Sequence, residues 1–189
     1  MKNIFLLAFA VLFTGCSAQY PLTTNLKLQV DRQPPGIYSD STSAFLKGHD
    51  ARKDSAIVIY QLKGKPEIEI PNQNAPHIVI TQQLAVGLLE QGLIFESASP
   101  VRIRLDINEL VARVTRPNVL YNTTARSNLT LIIHNKEISL TKTYDRQANR
   151  ESATRPSVQD LENMLDEQLS NIINQILHDE EARTAINQK

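Results

Sequence analysis

The chain has no tryptophan, a single cysteine and no surplus of charge of either sign. Each shortage removes a class of function. Lys and Arg number 20 and Asp and Glu 20, whereas a nucleic-acid binder carries a basic excess, so no nucleic-acid partner is expected. Aromatic residues are only 5% of the chain, which argues against a sugar cleft walled by stacked rings. One cysteine cannot close an internal disulfide, so stability must come from the apolar core. The four histidines, His49, His77, His134 and His178, are far apart, and no HExxH occurs. Metal-ligand spacing is therefore absent, and each histidine reads as a surface residue. There is no GxSxG and no phosphate-binding loop. Carboxylate pairs such as Glu67/Glu69 and Asp166/Glu167 read as solvated faces rather than as an acid–base pair. No cofactor and no catalytic residue is expected.

The most informative segment is the first. Met1-Lys2-Asn3 precedes an unbroken apolar run, Ile4 to Phe13, and then Thr14-Gly15-Cys16-Ser17. A charged start, a short apolar stretch and a small residue before the cut describe a secretory signal. A membrane-spanning helix needs about 20 apolar residues, twice the length of this run. A cysteine directly after the cut resembles the lipobox of bacterial lipoproteins, with Phe13 where Leu is usual. That resemblance implies a lipid on Cys16 and, through Ser17 in place of Asp, sorting to the outer membrane. The chain then divides into a signal peptide over 1–15, a lipidated tether over 16–25 and one periplasmic domain over 26–189.

Periodicity outlines the domain. Leu26, Leu28 and Val30 alternate with polar residues and predict a half-buried strand. Residues 31–54 hold Pro34-Pro35-Gly36 and a Ser/Thr cluster and read as a long irregular loop. Ser55 to Leu62 is a dense apolar strand, with a short partner over 67–70. Asn74-Ala75-Pro76 opens a helix whose Ile80, Leu84 and Leu88 form one stripe, and Gly92 is placed for a left-handed C′ position. Leu93-Ile94-Phe95 is a short strand. Ile103, Leu105 and Ile107 share one parity and Leu110, Ala112 and Val114 the other, which predicts a β-bulge near Asn108-Glu109. One long strand over 119–134, or two joined by a kink, turns at Asn135-Lys136 into a return strand through Tyr144. The polar stretch 145–156 leads to Ser157, which caps a long amphipathic helix with Asp160 as its box partner. A short terminal helix ends near Ile186. The expected fold is α+β: a mostly antiparallel sheet with two main helices packed on it, in the order strand–strand–helix–strand meander–helix. Leu84, Leu88, Ile103, Leu105, Leu165 and Ile172 are its expected core.

Two basic stretches stand out. Arg102 and Arg104, with Arg113, Arg116 and Arg126 nearby, form either a basic sheet face or a solvated face paired with Asp106 and Glu109; pairing is the expectation. Lys142, Arg146, Arg150 and Arg155 are expected to pair with the acidic last helix.

The lipobox, Leu88-Leu89-Glu90-Gln91-Gly92-Leu93, Val119-Leu120-Tyr121-Asn122, Ala125 to Leu131, Lys142-Thr143-Tyr144 and the closing helix together resemble the YajG family of bacterial lipoproteins. The resemblance spans nearly the whole chain and brings no catalytic residues with it. It implies an outer-membrane lipoprotein facing the periplasm, held to the membrane by lipid on Cys16. The expected role is a non-enzymatic binding or accessory subunit with an envelope protein partner. A ligand module for cell-wall fragments or lipids, with a cleft between the first helix and the sheet, is the alternative, and an envelope hydrolase ranks last. Tyr38 and Phe45, large side chains in the polar 31–54 segment, are the candidate partner contacts.

Overall fold

The computed structural model describes residues 20–136 and 138–187. Its strands are β1 (Ser43–Asp50), β2 (Ala56–Gln61), β3 (Ile68–Pro71), β4 (Ile94–Phe95), β5 (Arg102–Thr115), β6 (Tyr121–Asn135) and β7 (Ile138–Ser152). The helices are α1 (Pro76–Glu90), α2 (Val158–Leu177) and α3 (Glu180–Asn187). The α+β class holds, but the sheet is mixed rather than mostly antiparallel. Long β5 pairs antiparallel with β6, and β6 with β7. On its other edge β5 takes two parallel partners end to end, β1 along Arg102–Ile107 and β2 along Ala112–Thr115. The two are joined by 51–55, where Arg52 is fixed by Asp50 at 2.8 Å and reaches the Leu110 carbonyl. The bulge falls where parity predicts it: Ile107 faces Leu129 and Glu109 faces Asn128, leaving Asn108 as the extra residue.

The helices cover one face. The six expected core residues are all buried there. Two glycines set how closely the layers approach. A Cβ on Gly48 of β1 would lie 2.7 Å from the His77 carbonyl of α1, and one on Gly87 of α1 would collide with Leu177 of α2. Gly87, weak as a helix former, thus lets the two helices touch. Gly92 takes φ +99° as expected after α1. Ser157 and Asp160 close a full capping box on α2, the Asp160 backbone N–H donating to Ser157 Oγ at 3.2 Å and the Ser157 N–H to Asp160 Oδ2 at 2.9 Å. The last hairpin turns one residue later than expected, with Asn135 facing Ile138 and Lys136 at φ +53°.

Three expectations are corrected. First, residues 26–30 are extended but join no sheet. Asn25, Lys27, Gln29 and Asp31 donate their backbone N–H groups to Glu162 Oε1 (2.8 Å), Asp166 Oδ1 (2.9 Å), Ser170 Oγ (3.0 Å) and Asn174 Oδ1 (3.1 Å) of α2. Two extended residues advance about 6.7 Å and four helical ones about 6.0 Å, so the two repeats stay in step. Alternation buries Leu26 and Leu28 as predicted, but the ladder's acceptors are helix side chains. Glu162 and Asp166 are therefore bound groups, not a solvated face; burial raises the Asp166 carboxyl above its ordinary value against the lowering pull of the Lys27 N–H. Second, the supposed loop 31–54 contains β1, next to β5 in the middle of the sheet. Third, β7 continues through the polar 145–152 stretch, paired residue by residue with β6.

Candidate functional site

Helix α1 differs from an ordinary surface helix in what it shows to solvent. From Pro76 through Leu89 it holds no Asp, Glu, Lys or Arg. Ile80, Leu84 and Leu88 point inward, yet Ile78, Val86 and Leu89 are about half exposed, at 48%, 48% and 53%. Only Gln82 interrupts this exposed stripe, so the helix carries apolar positions on both sides, a pattern expected of an element covered on both sides. Beside this outer stripe, between α1 and the β1–β4 edge, lies an open groove of about 300 Å³. Phe45, Leu46, Ala85 and Phe95 make its apolar wall, with Thr81 and Glu96 at its margins. Ile94, 41% exposed on the two-residue strand β4, continues the apolar surface. Arg102 closes one side: its guanidinium lies 4.8 Å from the Phe45 ring centroid and donates to the Ser97 carbonyl at 3.0 Å.

The two candidate contacts part company here. Phe45 lies on β1 at the groove wall, half-buried. Tyr38 is not an exposed loop contact: it is 3% exposed and its backbone N–H donates to the Gln91 carbonyl at 3.0 Å. Burial pushes its hydroxyl up to about 12. Tyr38 therefore fixes the segment to the end of α1. The other groove residues were absent from the sequence reading. Their signal was the missing charge on α1, which an i, i+4 count of core positions passes over. Cys16 lies outside the described residues.

Elsewhere the polar groups are largely engaged with one another. A wider hollow of about 500 Å³ follows α2, lined by Lys27, Gln29, Asp31, Asn163, Asp166 and Asn174, several of which form the ladder. On the open sheet face Arg104 meets Asp106 at 2.9 Å, and His49 lies 3.2 Å from the same carboxylate. Arg126 approaches Glu109 at 3.9 Å, and Arg113 approaches Glu67 at 3.7 Å. In the first basic stretch Arg104, Arg113 and Arg126 are thus paired, as expected, with Glu67 an added partner, whereas Arg102 stacks on Phe45 and Arg116 on Tyr121 instead of meeting an acid. In the second stretch Lys142 binds Asp179 at 2.6 Å and Glu181 at 3.0 Å, and Arg146 donates to Gln175 at 2.7 Å. Arg155 instead binds Tyr20. Among the described residues no group of three His, Cys, Asp or Glu side chains could hold a metal ion, and no helix is long and apolar enough to cross a membrane.

The fold recurs in solved structures of very different sequence. A crystal structure from Xanthomonas campestris is 11% identical with a TM-score of 0.54, covering 82% of this chain and 93% of that one. A second crystal structure, of an uncharacterized protein, is 10% identical with a TM-score of 0.50, covering 82% and 97%. A looser likeness, which carries no weight for the fold, is to a minor lipoprotein from Acinetobacter baumannii, 18% identical with a TM-score of 0.38, covering 66% and 89%. No curated protein matches the chain by sequence. A family model described as uncharacterized lipoprotein matches residues 33–187, most of the chain, and the protein belongs to that family of lipoproteins.

Proposed function

We propose that this lipoprotein is a non-enzymatic binding subunit of the cell envelope, held at the outer membrane by lipid on Cys16 and facing the periplasm. Its docking surface is the outer stripe of α1 with the Phe45–Phe95 groove, and its occupant is an apolar segment of an envelope protein. The observation that carries this reading is the run Pro76–Leu89 of α1 without Asp, Glu, Lys or Arg, which leaves Ile78, Val86 and Leu89 in water beside an apolar groove. Contiguous exposed apolar surface of this kind marks interaction sites in soluble domains. The groove also lies between the first helix and the sheet, where the sequence placed a ligand cleft. Its apolar walls favour a second reading, an acyl chain of a lipid ligand.

A photo-crosslinking residue at position 86, expressed in intact cells, separates these readings. The first reading expects one defined envelope protein captured at 86, absent at control position 147, and lost when Leu89→Asp is added. A captured lipid supports the second reading, and equal capture at 86 and 147 overturns both. The anchor is tested separately. Cys16→Ser should leave the protein uncleaved or release it to the soluble periplasmic fraction; a normally processed variant still in outer membranes would refute the lipid.

A further inference from the structure

The chain enters the domain at one end of the sheet. Tyr20, the first described residue, packs on Tyr60 with ring centroids 4.8 Å apart, and Arg155 both stacks on Tyr20 at 4.8 Å and donates to its hydroxyl at 2.8 Å. Cys16 lies four residues earlier. Even fully extended, that stretch spans only about 14 Å, so a lipid on Cys16 keeps this end of the domain near the bilayer.

Three turns gather at the same end. The pairings Gln61 with Thr115, Thr115 with Asn122 and Tyr121 with Ser152 place segments 62–66, 116–120 and 153–156 side by side. Together they carry Lys63, Lys65, Arg116 and Arg155, all exposed, and no Asp or Glu. The nearest acids are engaged or set back: Glu67 faces Arg113, Asp160 closes the α2 cap, and Glu151 sits on β7 opposite Asn122. Val119 is 75% exposed and Leu120 40% exposed at the tip of the β5–β6 turn. Apolar side chains ringed by cations, in a chain of zero formal net charge, are placed where the tether begins.

We propose that this end is a membrane-contacting platform. Val119 and Leu120 enter the interfacial layer, while Lys63, Lys65, Arg116 and Arg155 lie over anionic phospholipid headgroups. The platform rests on the anchor at Cys16 proposed above and adds a second contact that fixes how the domain stands on the bilayer. The α1 groove is a separate surface.

The test uses the full lipidated chain in vesicles of phosphatidylethanolamine and phosphatidylglycerol. Because Cys16 is the only native cysteine, Leu120→Cys or, as control at the far end of the sheet, Ser139→Cys adds the only free thiol if Cys16 is lipidated. Each is labelled with an environment-sensitive fluorophore, and brominated phospholipid is added as quencher. Position 120 should lose about half its emission or more, as a group within the interface does, and position 139 little. Adding Lys63→Glu and Lys65→Glu, both exposed, should abolish the difference. With one dye per chain, equal quenching at 120 and 139 overturns the platform and leaves the anchor standing. Two dyes per chain overturn the anchor, and the platform that rests on it.

Discussion

Helices α1 and α2 pack on the same sheet and touch each other, yet they are built on opposite plans. Helix α2 buries Leu161, Leu165, Leu169, Ile172 and Ile176, gives its polar side to the extended segment, and begins in a capping box. Helix α1 has no side-chain cap and no acid in its first turn, and it shows apolar groups on the side its own fold leaves bare. Every feature of α2 is accounted for by the domain. The exposed apolar positions of α1 are not, and that excess is what the proposed partner would cover.

The largest expected effect tests whether α2 is the element that holds the core. Leu165 is fully buried, so Leu165→Ala should cost about 2–5 kcal/mol in urea unfolding. Next comes the seat of α1. In Gly48→Ala the new methyl meets both the Thr81 hydroxyl and backbone, the His77 carbonyl, which cannot swing aside, so a cost of about 1–3 kcal/mol is expected. Gly87→Ala, where the neighbour is the end of the Leu177 side chain and helix propensity is gained, should cost less; the reverse order would misplace α1. Third, Ser157→Ala should cost about 1 kcal/mol by removing the cap. It should also change the acid limb. The Ser157 hydroxyl and N–H hold the Asp160 carboxyl below its ordinary 3.8, so that contribution is complete above 3.8 and is lost as pH falls through the folded value. A stability–pH curve of Ser157→Ala should therefore be flatter below about pH 4. The smallest effect is the most telling. Val86→Asp and Leu89→Asp should each stay within about 0.5 kcal/mol of the parent while abolishing crosslinking at the groove. A loss like that of Leu165→Ala would return the outer stripe to the core.

Regions whose side chains face two different media were legible in the sequence. The α2 stripe and the parity switch at Asn108 both belong to elements with one wet and one dry face. β1 was hidden because Gly48 stands where an inward apolar residue would complete the run Ala44, Leu46; α1 occupies that space. The second half of β7 was hidden because its partner is β6 backbone, which needs no apolar pattern. Residues 26–30 announced their conformation but not their partner, since a helix offering acceptors every fourth residue reads as a charged face. Of the candidate site, Phe45 was visible as a large residue in polar company. Phe95 and Ala85 became part of it only once β4 lay beside β1.

The row of bonds between residues 25–31 and α2 has a mechanical meaning. If Cys16 carries the proposed lipid, a pull on that lipid is transmitted along the axis of the extended segment, parallel to the row. All four bonds then bear load together, in shear, whereas a hairpin drawn from one end opens a bond at a time. The tether thus joins the domain through a shear clasp, with the Tyr20–Arg155 contact as its first link. Glu162→Ala should lower the force at which the leading segment is stripped from α2 before it disturbs the sheet.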